Sequence, residues 1–157
     1  MLNIIGKVID GSEWGSFVRE VGITPITQGY PNGYGIASFM GCGTQVFFER
    51  GRVSSIALYG GEIEYVAEIG KCQSLLPFEV KFGQPLSETN LTLGPAFQSR
   101  SECPPDSKEA SIKAYFYKVG DFGIIARFDK RSNDRLTYVE YMSIDDAQSA
   151  AFADPGL

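Results

Sequence analysis

The side chains here that could carry covalent or proton-transfer chemistry are three cysteines, eight tyrosines and nineteen carboxylates, and there is no histidine to work with them. Ser-His-Asp and Cys-His catalysis, histidine general bases and mixed cysteine-histidine zinc sites are thereby excluded. Cys42, Cys72 and Cys103 lie far apart in the chain, with no C-x-x-C pair. An odd, scattered set is poor material for a disulfide framework and fits thiols kept reduced. Neither a metal site nor a cofactor is expected from that spacing.

Among the carboxylates, Asp10 with Glu13 and Asp145 with Asp146 are the pairs that could be proposed as acid and base. Neighbours on a strand point to opposite faces and neighbours on a helix diverge, so Asp145 and Asp146 do not converge on one bond and are taken as solvated charge. Gly41-Cys42-Gly43 is like a fragment of a phosphate loop but lacks the G-K-[ST] step and a following helix, so a turn or bulge in a sheet is expected there. Asn90-Leu91-Thr92 matches the glycosylation sequon, which has no meaning without secretion. No catalytic residue emerges, and the chain is expected not to be an enzyme.

The elements that would position any site come from periodicity. With 43% hydrophobic and 13% aromatic residues and 18 glycines, the 157 residues suit strands and tight turns around a real core. Trp14, Phe17, Val18 and Val21 recur at helical spacing between Ser12, a cap, and Gly22, a stop. Trp14 is expected in the core. Residues 25–35, rich in Pro and Gly, are expected as a loop, followed by two or three strands through Tyr59. Residues 62–69 are acidic and are expected as a short helix or an irregular edge. Ser87 is expected to cap a second helix ending at Gly94, residues 98–110 form an exposed insertion, strands follow to Met142, and the stretch from Asp145 makes a helical turn.

The chain says one thing twice. Gly41-Cys42-Gly43-Thr44-Gln45-Val46-Phe47-Phe48-Glu49 turns into Arg52-Val53-Ser54-Ser55-Ile56-Ala57-Leu58-Tyr59, and Gly120-Asp121-Phe122-Gly123-Ile124-Ile125-Ala126-Arg127-Phe128-Asp129 turns into Arg135-Leu136-Thr137-Tyr138-Val139-Glu140-Tyr141-Met142. Each hairpin follows a helical segment ending in an apolar residue and a glycine. The expected fold is α+β: two similar half-domains, 1–74 and 75–157, each with a short helical segment packed on an antiparallel β-meander.

Charge narrows the partners. The net charge of −5 is spread evenly, with 5 basic and 7 acidic residues in 1–78 and 9 basic and 12 acidic in 79–157. Without a basic face the aromatics are expected as sheet core and not as base-stacking platforms, so nucleic acid is not expected as a partner. Lys7 follows a very short apolar run, unlike a secretory signal, and there is no apolar run long enough to span a membrane, so cytoplasmic residence is expected.

Leu76-Pro77-Phe78-Glu79-Val80-Lys81-Phe82-Gly83-Gln84-Pro85-Leu86-Ser87-Glu88, then Leu93-Gly94-Pro95, then Phe128-Asp129 and Arg135-Leu136-Thr137-Tyr138-Val139, resemble the "LPFxLxFxxS…LGxP…FDxxxRLxxV" pattern of small bacterial immunity proteins and of β-lactamase-inhibitor-like half-domains. The resemblance implies a non-enzymatic protein that binds a cognate toxin and occludes its active site. Such a toxin would present a basic cleft to acidic side chains, with aromatics as anchors. Glu62, Glu64, Tyr65, Glu68, Asp106 and Glu109 are the expected interface. The competing readings are a small carboxylate- or cysteine-dependent enzyme and a ligand-binding or assembly module.

Overall fold

The computed structural model describes residues 1–60, 70–72, 76–103, 109 and 111–153, which contain three α-helices and eight strands in an α+β arrangement. The chain packs as two units, Met1–Ser74 and Leu75–Leu157. In each unit a helix precedes four strands that pair in chain order, every pairing antiparallel.

The first unit opens with a 3-10 turn, Leu2–Ile4, followed by α1 (Ser12–Val21), β1 (Ile26–Gly29), β2 (Tyr34–Phe39), β3 (Thr44–Glu49) and β4 (Arg52–Tyr59). Alternation decides which face is buried: Ala37 and Phe39 on β2, and Val46 on β3, turn inward, while their neighbours stay half-exposed. Ile4, Phe17, Val53 and Ile56 complete this core. Trp14 lies at its margin, partly buried, with its ring 5.9 Å from Phe17 and 6.1 Å from Phe39. Two local expectations are corrected. Ser12 is the first helical residue rather than the cap, which is Gly11, and the Ser12 hydroxyl donates to Glu13 instead. The expected loop 25–35 contains β1 and the start of β2, because backbone pairing with β2 outweighs the low strand propensity of Gln28 and Gly29.

The second unit holds a 3-10 turn at Pro77–Glu79, α2 (Leu86–Leu93), β5 (Gln98–Glu102), β6 (Ile112–Val119), β7 (Phe122–Asp129), β8 (Arg135–Ser143) and α3 (Ile144–Phe152). Its sheet is covered on both faces. On one, α3 lays Ala147 and Ala151 against Ala114, Phe116, Ile125 and Met142. On the other, the Tyr141 hydroxyl donates to the Pro77 carbonyl (3.1 Å), the Tyr117 hydroxyl donates to Asn90 of α2 (2.8 Å), and the Phe78 ring lies 6.2 Å from both Phe122 and Tyr141. Double coverage explains why Ile124-Ile125-Ala126 is buried without alternation. Gly123 allows α3 to approach: a Cβ there would overlap that of Ala147. Ser143 caps α3 by accepting from the Asp146 amide at 3.1 Å and donates to the Asp146 carboxylate at 2.6 Å, which ties one member of the Asp145-Asp146 pair to the helix start.

Here too the local expectations shift. Ser87 is not the cap of α2; Pro85 is, and the helix begins at Leu86. Residues 98–102 of the expected insertion form β5, in register with β6 from Gln98↔Phe116 to Glu102↔Ile112.

The repeat is visible in register as well as in order. The third and fourth strands of each unit pair with a shift at the equivalent step, Phe47/Phe48 in one and Arg127/Phe128 in the other. Both shifts fall just before the acidic residue that ends the strand, Glu49 or Asp129. A bulge tightens the local twist and re-aims the strand end.

The pattern of the second half closes on itself. The Gly83 amide donates to the Leu136 carbonyl (2.9 Å) and the Leu136 amide donates to the Gln84 carbonyl (3.1 Å), so the stretch before α2 is stitched to the start of β8. Gly94 ends α2, its amide bonded to Asn90. Asp129, 4% exposed, accepts from the Arg131 amide (2.9 Å) and guanidinium (2.9 Å), fixing the turn between β7 and β8.

Candidate functional site

Two concentrations of polar chemistry stand out, both in the second unit. The first is a network on the sheet. Arg100, Ala114, Arg127 and Tyr138 occupy one cross-strand row, since Arg100 pairs with Ala114, Ala114 with Arg127 and Arg127 with Tyr138. Arg127 Nε donates to Glu102 at 2.6 Å, Arg100 Nε donates to the other oxygen of Glu102 at 2.7 Å, and Arg127 Nη1 lies 3.8 Å from Glu140. The Arg127 guanidinium stacks 4.3 Å from the Tyr138 ring centroid, the Tyr138 hydroxyl donates to Glu140 at 2.5 Å, and Arg100 donates to the Ala150 carbonyl of α3 at 2.8 Å.

The four ion-paired side chains in this network are only 15–24% exposed, and Tyr138 is buried. Burial acts to raise the Glu102 carboxyl, but Arg127 and then Arg100 outweigh it and hold the group below the usual carboxylate range. Burial likewise disfavours the charged Arg127, yet Tyr138, Glu102 and Glu140 bind its proton more tightly than water would. Two guanidinium groups here face two carboxylates, so the charges of the named groups balance. A carboxylate fixed as an anion in this way is a poor proton donor near neutral pH.

The second concentration is an open groove of about 790 Å³ between the stretch from Leu76 to Gln84 and α2. Its walls include buried Leu76 and Val80, exposed Glu79 and Glu88, and Leu91, which is 87% exposed. Buried Gln84 beneath it accepts from the Lys81 amide (3.0 Å) and donates to Thr89 (2.7 Å). Phe78 and Glu79 are consecutive non-glycine residues in the left-handed region, with φ of 63° and 59°. Each costs on the order of 1–3 kcal/mol, a strain that proteins tend to keep at binding and switch positions. Ring contacts of Phe78 with Phe122 and Tyr141 hold it in place.

Of the residues expected at an interface, Glu62, Glu64, Tyr65, Glu68 and Asp106 lie outside the described residues. Glu109 is exposed, on the connection from β5 to β6. The network and the groove were not foreseen from sequence. Arg100 and Glu102, two apart on one strand face, are the available signal, masked by the polar, loop-like composition of residues 98–110. The groove has no sequence signal apart from exposed Leu91 among polar neighbours. Asn90 of the sequon is engaged with Tyr117, whose hydroxyl is pushed well above its usual pKa by burial and by Tyr115. Among the described residues no group of three or more cysteines and acids could hold a metal ion, and no helix is long and apolar enough to cross a membrane.

No family model and no curated protein matches the chain. Its fold is similar to that of a cysteine-rich secretory protein (SAV1118) from Staphylococcus aureus subsp. aureus Mu50, with a TM-score of 0.52 and 15% identity over 92% of this chain. The match takes in 46% of that protein, so the chain spans less than half the length of this neighbour. A DUF4309 family protein (YjgB) from Bacillus subtilis subsp. subtilis strain 168 aligns at a TM-score of 0.44 and 15% identity, over 82% of this chain and 76% of that one.

Proposed function

We propose that the chain is a binding protein of the immunity type, which neutralises a cognate bacterial toxin in the cytoplasm by covering its active site with an acidic exterior. One observation supports this reading above the others. Among the described residues, every acid that is not exposed is paired with an arginine: Glu49 with Arg50, Glu102 with Arg100 and Arg127, Asp129 with Arg131, and Glu140 with Arg127. Glu102, Asp129 and Glu140 are sheltered and serve the fold, whereas Glu49 and its neighbour Arg50 form a surface pair, and the remaining described acids face solvent. Long-range attraction between such a surface and a basic cleft speeds encounter and sets specificity.

The internal stitching of the immunity-like pattern supports the same reading. The residues of that pattern that are stitched together serve as scaffold, as expected of inhibitors that share a fold and differ in surface. The test is growth rescue. Cells expressing the product of the adjacent gene, the candidate toxin, should stop growing alone and recover when this chain is co-expressed; arrest that persists despite soluble chain would refute the proposal. Reversing charge at Glu62, Glu64 and Glu68 together should slow association by about tenfold at low salt and flatten its salt dependence. Stopped-flow mixing with the toxin domain measures this, and unchanged kinetics would remove those three residues from the interface.

A further inference from the structure

We infer that the groove beside α2 is a docking site for an arginine or lysine side chain of the protein partner. The inference rests on the inhibitor reading and gives it a specific contact.

The floor and the rim have different chemistry. Half-buried Phe78 and exposed Leu91 give the apolar surface, backed by buried Leu76 and Val80, and each polar atom of Gln84 already has a partner in Lys81 or Thr89. The rim carries Glu79 and Glu88, neither ion-paired among the described residues, against a single ammonium, Lys81. An occupant that suits both must be apolar along its length and cationic at its tip. A long basic side chain has that form: its methylene stem lies on hydrocarbon while its head stays with the carboxylates. Acidic ligands would meet two like charges at the mouth. Leu91, almost fully exposed on the neighbouring turn of α2, offers an apolar contact for the residue beside the basic one.

The backbone supports this placement independently. Consecutive left-handed residues at Phe78 and Glu79 form one wall, anchored from behind by Phe122 and Tyr141. That wall is set before any partner arrives, which lowers the ordering cost of binding.

The probe is the peptide acetyl-Leu-Arg-Leu-amide, titrated into the 15N-labelled full chain. Saturable amide shifts centred on Lys81, Glu88 and Thr92 are expected, weakened about fivefold or more in Glu79→Gln/Glu88→Gln, whose exposed positions leave folding intact. Equal shifts with acetyl-Leu-Glu-Leu-amide, or shifts that miss the groove, would overturn the assignment. The toxin separates the two proposals. If wild-type chain binds it and the double variant binds equally well, the groove is not the contact but the inhibitor reading stands. If wild-type chain does not bind it, the inhibitor reading fails, and the peptide titration alone decides whether the groove takes a basic side chain.

Discussion

Replacing Arg127 by methionine is expected to destabilise the second unit by about 3–5 kcal/mol near neutral pH, because it leaves Glu102 and Glu140 sheltered without their shared guanidinium. The effect should depend on pH with a definite sign. In the parent chain Glu102 is held below 4.5, so its contribution is present above that pH and lost as the pH falls through the depressed folded value. In the variant, burial remains and Arg127 is gone, so the folded pKa rises and acidification relieves the penalty. The gap between variant and parent in urea unfolding should therefore be wide at pH 7 and narrow near pH 4. Adding Glu102→Gln to the variant should recover part of the loss at pH 7. A gap of equal size at both pH values would mean that Arg127 acts by packing on Tyr138 and not by charge.

Gly43→Ala should be the most damaging small substitution in the first unit. Gly43 has φ of +64°, and a Cβ would overlap the Cys72 nitrogen and the Lys71 carbonyl carbon, both backbone atoms that cannot swing aside. Left-handed strain and overpacking together should cost about 3 kcal/mol. Gly41→Ala is the control: φ is +79° but nothing lies within 4 Å, so only the conformational part, about 1 kcal/mol, is lost. Thermal unfolding of the two variants separates close approach from backbone strain. Equal losses would show that the chain around Cys72 yields to the added methyl group.

These residues also show what could be read in the sequence. The helix over Trp14, Phe17, Val18 and Val21 was legible because its apolar face recurs at helical spacing and packs on one core. The two hairpins were legible because their strand patterns, and the glycines just ahead of each first strand, stand in both halves. Beta1 was not: Ile26–Gly29 is wholly exposed, and its existence depends on pairing with β2, a non-local fact. Beta5 escaped for a related reason. Gln98–Glu102 has no apolar residue, and its inward face is the charged side of the Arg100–Glu102–Arg127 network, made favourable only by residues far along the chain. The groove depends on left-handed Phe78 and Glu79, which nothing in their types announces.

The central claim is that this protein works by binding another protein through its exterior. Isothermal titration of the purified chain against the product of the adjacent gene, the candidate toxin, with its residual activity read from the same samples, tests it most directly. One-to-one binding that abolishes activity in proportion to occupancy is the predicted result. No heat and undiminished activity with both proteins at micromolar concentration would contradict it.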